Sequence, residues 1–215
     1  MVAELSHLFK NRGRKFDVEA GQSILSEATS GNDVFMVVSG QVLLHSSSVQ
    51  GRDFIIDVLK SGDIFGFAAW LDVGYRIGAV SLTQSSVAAL DVPTVERAIR
   101  EEPDLALSFI RVTVHQLVSR ALLAADFALL NFSGRLAKLL LKVAEDQGVK
   151  IVKGSKFKCQ FSQTLLARML GASRETVNRQ MQKWEENGIL SKSGKNVCLL
   201  DPAGLRRAAE GAAED

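Results

Sequence analysis

Between Ser173 and Arg179 the chain reads Ser-Arg-Glu-Thr-Val-Asn-Arg. At helical spacing this run sets Arg174, Glu175, Asn178 and Arg179 on one side and Val177 on the other. Those polar side chains are the ones that base edges select. A guanidinium donates two bonds to guanine O6 and N7, and a glutamate accepts from cytosine N4. Glu175 would also sit in a first helical turn, where a carboxylate interacts favourably with the helix dipole. Other chemistry has little to build on. His7, His45 and His115 are scattered without an HxH pair, and Cys159 and Cys198 form neither a CxxC pair nor a disulfide framework. No nucleophile–base pair and no Gly-rich phosphate loop appears, so no enzyme, metal or cofactor is expected.

The neighbouring residues supply what such a reading helix needs. Ser162 is placed to cap a short helix with the apolar stripe Leu165, Leu166, Met169 and Leu170. Gly171-Ala172 makes a tight turn, with the glycine where a left-handed conformation is needed. Ser173 then caps a second helix, whose core face is Val177, Met181 and Trp184 and whose end is Asn187-Gly188. Two short helices joined in this way form a helix-turn-helix, with the second helix in a major groove. Beyond Leu190, the run Ser191–Asn196 is expected to be the tip of a basic hairpin wing that touches phosphate.

Upstream the period changes twice. From Pro103 to Leu130 there is no Gly or further Pro, and Leu107, Ile110, Val114, Leu117, Ala121, Ala124 and Ala128 recur every three or four residues. That is a heptad seam, which calls for a second helix, and a symmetric homodimer is its simplest source. Leu105, Phe109, Val112, Leu122, Leu123 and Phe127 make further faces apolar, so part of the helix must also be covered by its own domain. Residues 16–92 instead show short apolar runs (Val34–Val38, Val42–Leu44, Phe54–Leu59, Val87–Leu90) between glycine-bearing turns such as Ser30–Asp33, Ser61–Asp63 and Gly74. Such spacing predicts a sandwich or jelly roll. Asn131–Gly134 breaks the long helix before another that runs to about Glu145. The expected class is therefore α+β. Its parts are a β-roll sensor domain over 1–102, a dimerisation helix over 103–130, a hinge over 131–134, and a winged helix-turn-helix domain over 135–215.

Charge divides along the same line. Residues 1–130 hold 11 Lys/Arg against 15 Asp/Glu, whereas residues 131–200 hold 13 against 5. A basic C-terminal block beside a mildly acidic domain points to a polyanion such as double-stranded DNA. No run of eighteen apolar residues is free of charge and the start carries no signal-type core, so a cytoplasmic protein without a membrane span is expected.

At this point the residues resemble a known family. Ala172-Ser173-Arg174-Glu175-Thr176-Val177-Asn178-Arg179 and the segment through Leu190 look like the recognition helix and following strand of Crp–Fnr regulators, nearest the cyclic-AMP receptor protein branch. Gly62-Asp63-Ile64-Phe65-Gly66 is similar to the turn before the family's phosphate-binding cassette, and Glu101-Glu102-Pro103-Asp104 to the entry of its dimer helix. The resemblance implies that Arg174, Glu175 and Arg179 read a TGTGA-like half-site of a palindrome. It further implies backbone contacts from Ser162, Gln163, Ser173 and Lys195, and an exposed Val149–Lys156 loop near RNA polymerase.

The resemblance fails at the effector pocket, expected around Gly66, Phe67, Arg76, Ile77, Arg120 and Ala121. Arg76 stands where the cassette arginine belongs, but Phe67 takes the place of the carboxylate and Ile77 that of the small hydroxyl residue. Arg120-Ala121 replaces the pair that meets adenine. A buried polar ligand loses about 1–3 kcal/mol for each partner it lacks. The expectation is thus an unidentified small-molecule effector or none. A cyclic-nucleotide-responsive regulator is the alternative, and a non-DNA-binding interaction module a more distant one. The iron–sulfur branch needs several N-terminal cysteines, whereas the first here is Cys159. Oxidation of Cys159 or Cys198, which flank the motif, is weighed against the expectation of buried, inert thiols.

Overall fold

The structure, a computed structural model, describes residues 2–27, 32–48, 53–70 and 77–211. Ser30-Gly31, Gly74 and Arg76, singled out from the sequence, lie outside the described residues. The chain divides into two compact units, residues 1–119 and 120–215.

Among the described residues of the first unit, eight antiparallel strands form two four-stranded sheets. One sheet has the order β1 (Arg14–Val18), β8 (Ser85–Asp91), β3 (Asp33–Ser39), β6 (Ile64–Phe65). The other runs β2 (Ser23–Leu25), β7 (Gly78–Ser81), β4 (Val42–Ser47), β5 (Asp53–Leu59). Their facing sides share a core of Phe35, Val37, Phe65, Val87 and Ala89 with Val42, Leu44, Leu59 and Ala79. The opposite face of the first sheet is covered as well. Val34, Met36, Ile64, Ala88 and Leu90 pack with Leu5, Leu8 and Phe9 of α1 (Val2–Arg12), Val95 and Ala98 of α2 (Val92–Glu101), and Leu105 and Phe109 of α3 (Asp104–Leu129). Burial on both faces explains why β3 and β8 read as continuous apolar runs rather than alternating ones. The helix α2 starts where Asp91 accepts from the Thr94 amide (2.7 Å) and Pro93 fills the first turn.

In the second unit, α4 (Phe132–Asp146), α5 (Gln163–Leu170), α6 (Arg174–Glu186) and α7 (Pro202–Ala209) surround a three-stranded antiparallel sheet. The sheet order is β10 (Leu190–Ser193), β11 (Asn196–Leu199), β9 (Lys156–Lys158). A single core joins Leu136 and Leu140, Leu166 and Leu170, Val177, Met181 and Trp184, the sheet residues Phe157, Leu190, Val197 and Leu199, and Leu205.

Three points refine these expectations. Asn131 caps α4 through its side chain, accepting from the Gly134 amide at 2.8 Å, so the helix begins at Phe132 and takes in most of the 131–134 segment. The Val149–Lys156 loop is exposed only in part. Ile151 is buried, Gly154 and Ser155 exchange backbone bonds with Leu199, and Lys156 opens β9. Finally, α3 is by length and composition apolar enough to cross a membrane, although no charge-free run exists. An 18-residue stretch of it has a mean hydropathy of 1.2 with no more than two charged residues.

Candidate DNA interface

The interface is built on α5 and α6. Ser162 begins α5, its hydroxyl accepting from the Leu165 amide at 3.1 Å, and so satisfies one of the free donors of a helix start. The helix ends at Gly171 in the left-handed region (φ 64°, ψ 39°), where its amide returns to the Ala167 carbonyl. Two residues on, Ser173 caps α6 in the same way as Ser162, accepting from the Thr176 amide at 3.1 Å. The turn is thereby reduced to three residues with both of its ends hydrogen-bonded.

Val177, Met181 and Trp184 are buried at helical spacing in α6, and this fixes which face turns out. Arg174, Glu175, Arg179 and Gln182 are exposed, with Asn178 half-buried among them. Glu175 lies in the first turn. Its carboxyl is held below the usual carboxylate range by its own backbone amide, then by the Ser173 hydroxyl and nearby Arg174. The side chain therefore stays an anion and an acceptor at neutral pH.

The wing is a two-residue hairpin at Gly194-Lys195, with Ser193 opposite Asn196 and Gly194 at φ 59°. Lys195 is exposed at the tip. The Glu185 side chain accepts from the Lys192 amide at 2.7 Å, pinning the wing to the end of α6. That tie was not foreseen, because nothing in sequence marks which exposed carboxylate will meet a strand edge. The strand β9 was also missed, although Lys156-Phe157-Lys158 carries a polar–apolar–polar signal. Its two exposed lysines add positive charge beside the hairpin.

Two segments of the chain match domain families, and the second contains this geometry. Residues 15–102 match the cyclic nucleotide-binding domain, and residues 134–208 the Crp-like helix-turn-helix domain. The chain belongs to the Crp–Fnr family of transcriptional regulators. This Crp–Fnr protein is 26% identical to the CRP-like cAMP-activated global transcriptional regulator of Mycobacterium tuberculosis, over 90% of its own length and 87% of the relative's. It is 24% identical to the global nitrogen regulator of Synechocystis sp., over 80% and 78%. Among solved structures, a mutant of CooA from Carboxydothermus hydrogenoformans superposes with a TM-score of 0.80 at 23% identity, covering 94% of this chain and 90% of that one. The c-di-GMP responsive regulator CLP of Xanthomonas campestris gives a TM-score of 0.77 at 19% identity, covering 92% and 99%. Likeness at this identity concerns the fold. The Crp–Fnr protein is thus a DNA-binding transcriptional regulator with a two-domain fold of N-terminal β-sheet domain, long helix and C-terminal helix-turn-helix.

Of the residues expected around an effector, Gly66, Phe67 and Ile77 belong to the first unit and Arg120 and Ala121 to α3, while Arg76 lies outside the described residues. Gly66 has φ 87°, and a Cβ there would lie 2.8 Å from the Asp33 carbonyl oxygen. Phe67 opens a 3-10 turn (Phe67–Trp70), stacks on Trp70 at 6.2 Å and packs toward the helix-covered core. Ile77 packs toward the other core, between the two sheets. Arg120 is half-buried and Ala121 exposed on α3, both beyond the border between the units. All seven residues of the heptad seam on α3 are exposed in the single chain. Cys159 is buried, and loss of hydration pushes its thiol pKa up, while Cys198 is half-buried.

Proposed function

We propose that this Crp–Fnr regulator works in the cytoplasm as a homodimer that reads a palindromic TGTGA-like operator. Arg174, Glu175 and Arg179 face the base edges, while Ser162, Gln163, Ser173 and Lys195 hold the phosphate backbone. The observation that carries this is α6 itself: its N-terminus is capped, its inner face is locked into the core by Trp184, and its outer face is left to arginines and a glutamate. Two such helices must lie about 34 Å apart to enter successive turns of one DNA face. Pairing of α3 with its copy supplies that spacing and covers the exposed seam. A bilayer is the worse partner for the same helix, since it would have to accept Arg111 and Arg120.

We further propose the functional division 1–102 sensor, 103–130 dimer helix, 131–134 hinge and 135–215 reader, with the Val149–Lys156 loop turned to RNA polymerase. The effector is other than ordinary cyclic AMP, or none is required. Phe67 supports this, because its ring is spent on Trp70 and offers a ribose hydroxyl no acceptor. A second reading, cyclic-nucleotide control, is favoured by the match of residues 15–102 to the cyclic nucleotide-binding domain.

Fluorescence anisotropy on a duplex with inverted TGTGA half-sites, against a scrambled duplex, tests these readings at two salt concentrations with and without cyclic AMP and cyclic GMP. Specific binding without nucleotide is expected. Binding only with a nucleotide would establish the second reading, and binding indifferent to sequence would remove the assigned base contacts.

A further inference from the structure

The sheet of the second unit has two sides of opposite character. Phe157, Leu190, Val197 and Leu199 are buried in the core. Alternation along each strand turns Lys156 and Lys158 of β9, Asn196 and Cys198 of β11, and Ser191 and Ser193 of β10 to the outer side. The strand registers set these six in two rows, Ser191–Cys198–Lys156 and Ser193–Asn196–Lys158. The rows lie about 7 Å apart, and each spans about 10 Å over three strands. Five of the six are exposed, and Cys198 is half-buried between them.

Together with Gln147 these residues line a groove of about 610 Å³. Gln147 closes its β9 side. The side-chain amide donates to the Lys158 carbonyl at 2.9 Å, and the side-chain oxygen accepts from the Lys158 amide at 3.1 Å. The floor is a hydrogen-bonded sheet seated on the core, so the groove is preformed, and its volume falls within the about 300–1,000 Å³ of small-molecule sites. Its lining contains no Asp or Glu, and its apolar members Phe157 and Val197 belong to the core, so no aromatic face is offered to a base. Among the described residues, the side chains of Lys156, Lys158, Ser191, Ser193 and Asn196 enter no hydrogen bond or ion pair within the chain.

These donors select a particular chemistry. Two ammonium groups beside hydroxyls and an amide fit a dianion rich in acceptor oxygens. A phosphate monoester carries about −1.5 to −2 charges at neutral pH and three strong acceptor oxygens. The footprint of about 7 by 10 Å exceeds one phosphate and leaves Ser191, Ser193 and Asn196 for hydroxyl groups. We infer that the outer face of the wing sheet is a binding site for a phosphorylated sugar. Its phosphate lies between Lys156 and Lys158, and its polyol lies over the two serines and Asn196. The same hairpin carries Lys195 at its tip. Resting on the backbone contact proposed above for Lys195, an occupied groove neutralises the two lysines beside the wing and weakens operator binding.

Equilibrium dialysis of the full chain against glucose 6-phosphate, glucose and inorganic phosphate tests the site without DNA, so its failure leaves the operator reading untouched. The sugar phosphate is expected to bind best, inorganic phosphate more weakly and glucose not at all. Lys156→Ala combined with Lys158→Ala should weaken binding roughly tenfold, the worth of two exposed charge pairs. Lys153→Ala, outside the groove, should leave it unchanged. Bound sugar phosphate should also slow iodoacetamide labelling of Cys198, which locates the ligand on the sheet. Equal affinity for inorganic phosphate overturns the sugar, and an affinity indifferent to the two lysines overturns the site. Absence of binding by all three probes, with operator binding weakened in the double variant, assigns the lysines to the DNA backbone instead and overturns the inference. Anisotropy then reads the consequence: saturating glucose 6-phosphate should lower operator affinity, and an unchanged affinity removes the effect on DNA while the site stands.

Discussion

Replacing Gly134 by alanine distinguishes a glycine kept for flexibility from one kept for close packing. Gly134 is buried in the first turn of α4, and its amide is held by Asn131. A Cβ there would stand 3.0 Å from the carbonyl oxygen of Ala208 in α7 and 3.3 Å from the Leu130 Cβ. Two effects oppose. Alanine gains up to about 1 kcal/mol over glycine in helix propensity, and less in a first turn. Against this, forcing a methyl group into a filled site costs about 1–3 kcal/mol. The obstructing atom belongs to the backbone of a packed helix and cannot turn aside as a side chain would, so packing wins. The expected net change is about 1 kcal/mol of destabilisation, roughly fivefold in the folding equilibrium. Gly134→Val should exceed it. Urea unfolding of the full chain in a Trp70→Phe background measures the change, because Trp184 is fully buried in the same core as α4 and α7. The midpoint should fall at unchanged slope. A midpoint that rises would refute the packing account and mark Gly134 as a glycine kept for flexibility.

Arg179→Ala should weaken binding to the TGTGA-type duplex by roughly 5–150-fold, the worth of one bidentate base contact, and leave binding to scrambled DNA nearly unchanged; anisotropy on both duplexes decides. Ser173→Ala removes the cap of α6 and should lower the Trp184-reported stability by about 0.5–2 kcal/mol, with Ser173→Gly costing less. Glu175 has a depressed carboxyl pKa in the fold, so its contribution is present above the unfolded value and disappears as pH falls through the folded one. Acid unfolding of Glu175→Gln should accordingly be less steep than that of the parent below neutral pH. Iodoacetamide should label Cys198 before Cys159 in the native protein, since burial keeps the Cys159 thiol protonated; equal labelling rates would contradict its burial.

The reader motif was legible because its signals are local. Ser162, Gly171, Ser173 and Gly188 punctuate two short periodic runs, and each stands where the backbone requires a cap or a left-handed turn. The longer strands were legible as apolar runs. The short strands β1, β2, β6 and β7 were not, since two to five residues hold too little pattern. α1 escaped because its apolar face is only Leu5, Leu8 and Phe9, while the caps of α2 at Asp91-Val92-Pro93 were visible signals left unused. Nothing local could announce that Ser81 and Ser85 would be buried together and satisfied by each other at 2.9 Å, by the Thr83 carbonyl and by Gln41. The effector side resists for a similar reason. Which core Phe67 or Ile77 joins depends on the sheet sandwich as a whole, not on neighbours in sequence.

The division of labour within α6 bears on how such a regulator diverges. Val177, Met181 and Trp184 hold the helix in place, while Arg174, Glu175, Arg179 and Gln182 project outward without a share in that core. Substitutions at exposed positions of this kind usually shift stability by no more than about 0.5 kcal/mol in either direction. On the base contacts proposed above, a gene duplicate could therefore acquire a new operator by changing Arg174, Glu175 and Arg179 in any order, each intermediate remaining a folded protein. Regulatory networks built on this scaffold can be rewired at the level of targets while the core of each unit remains as it was.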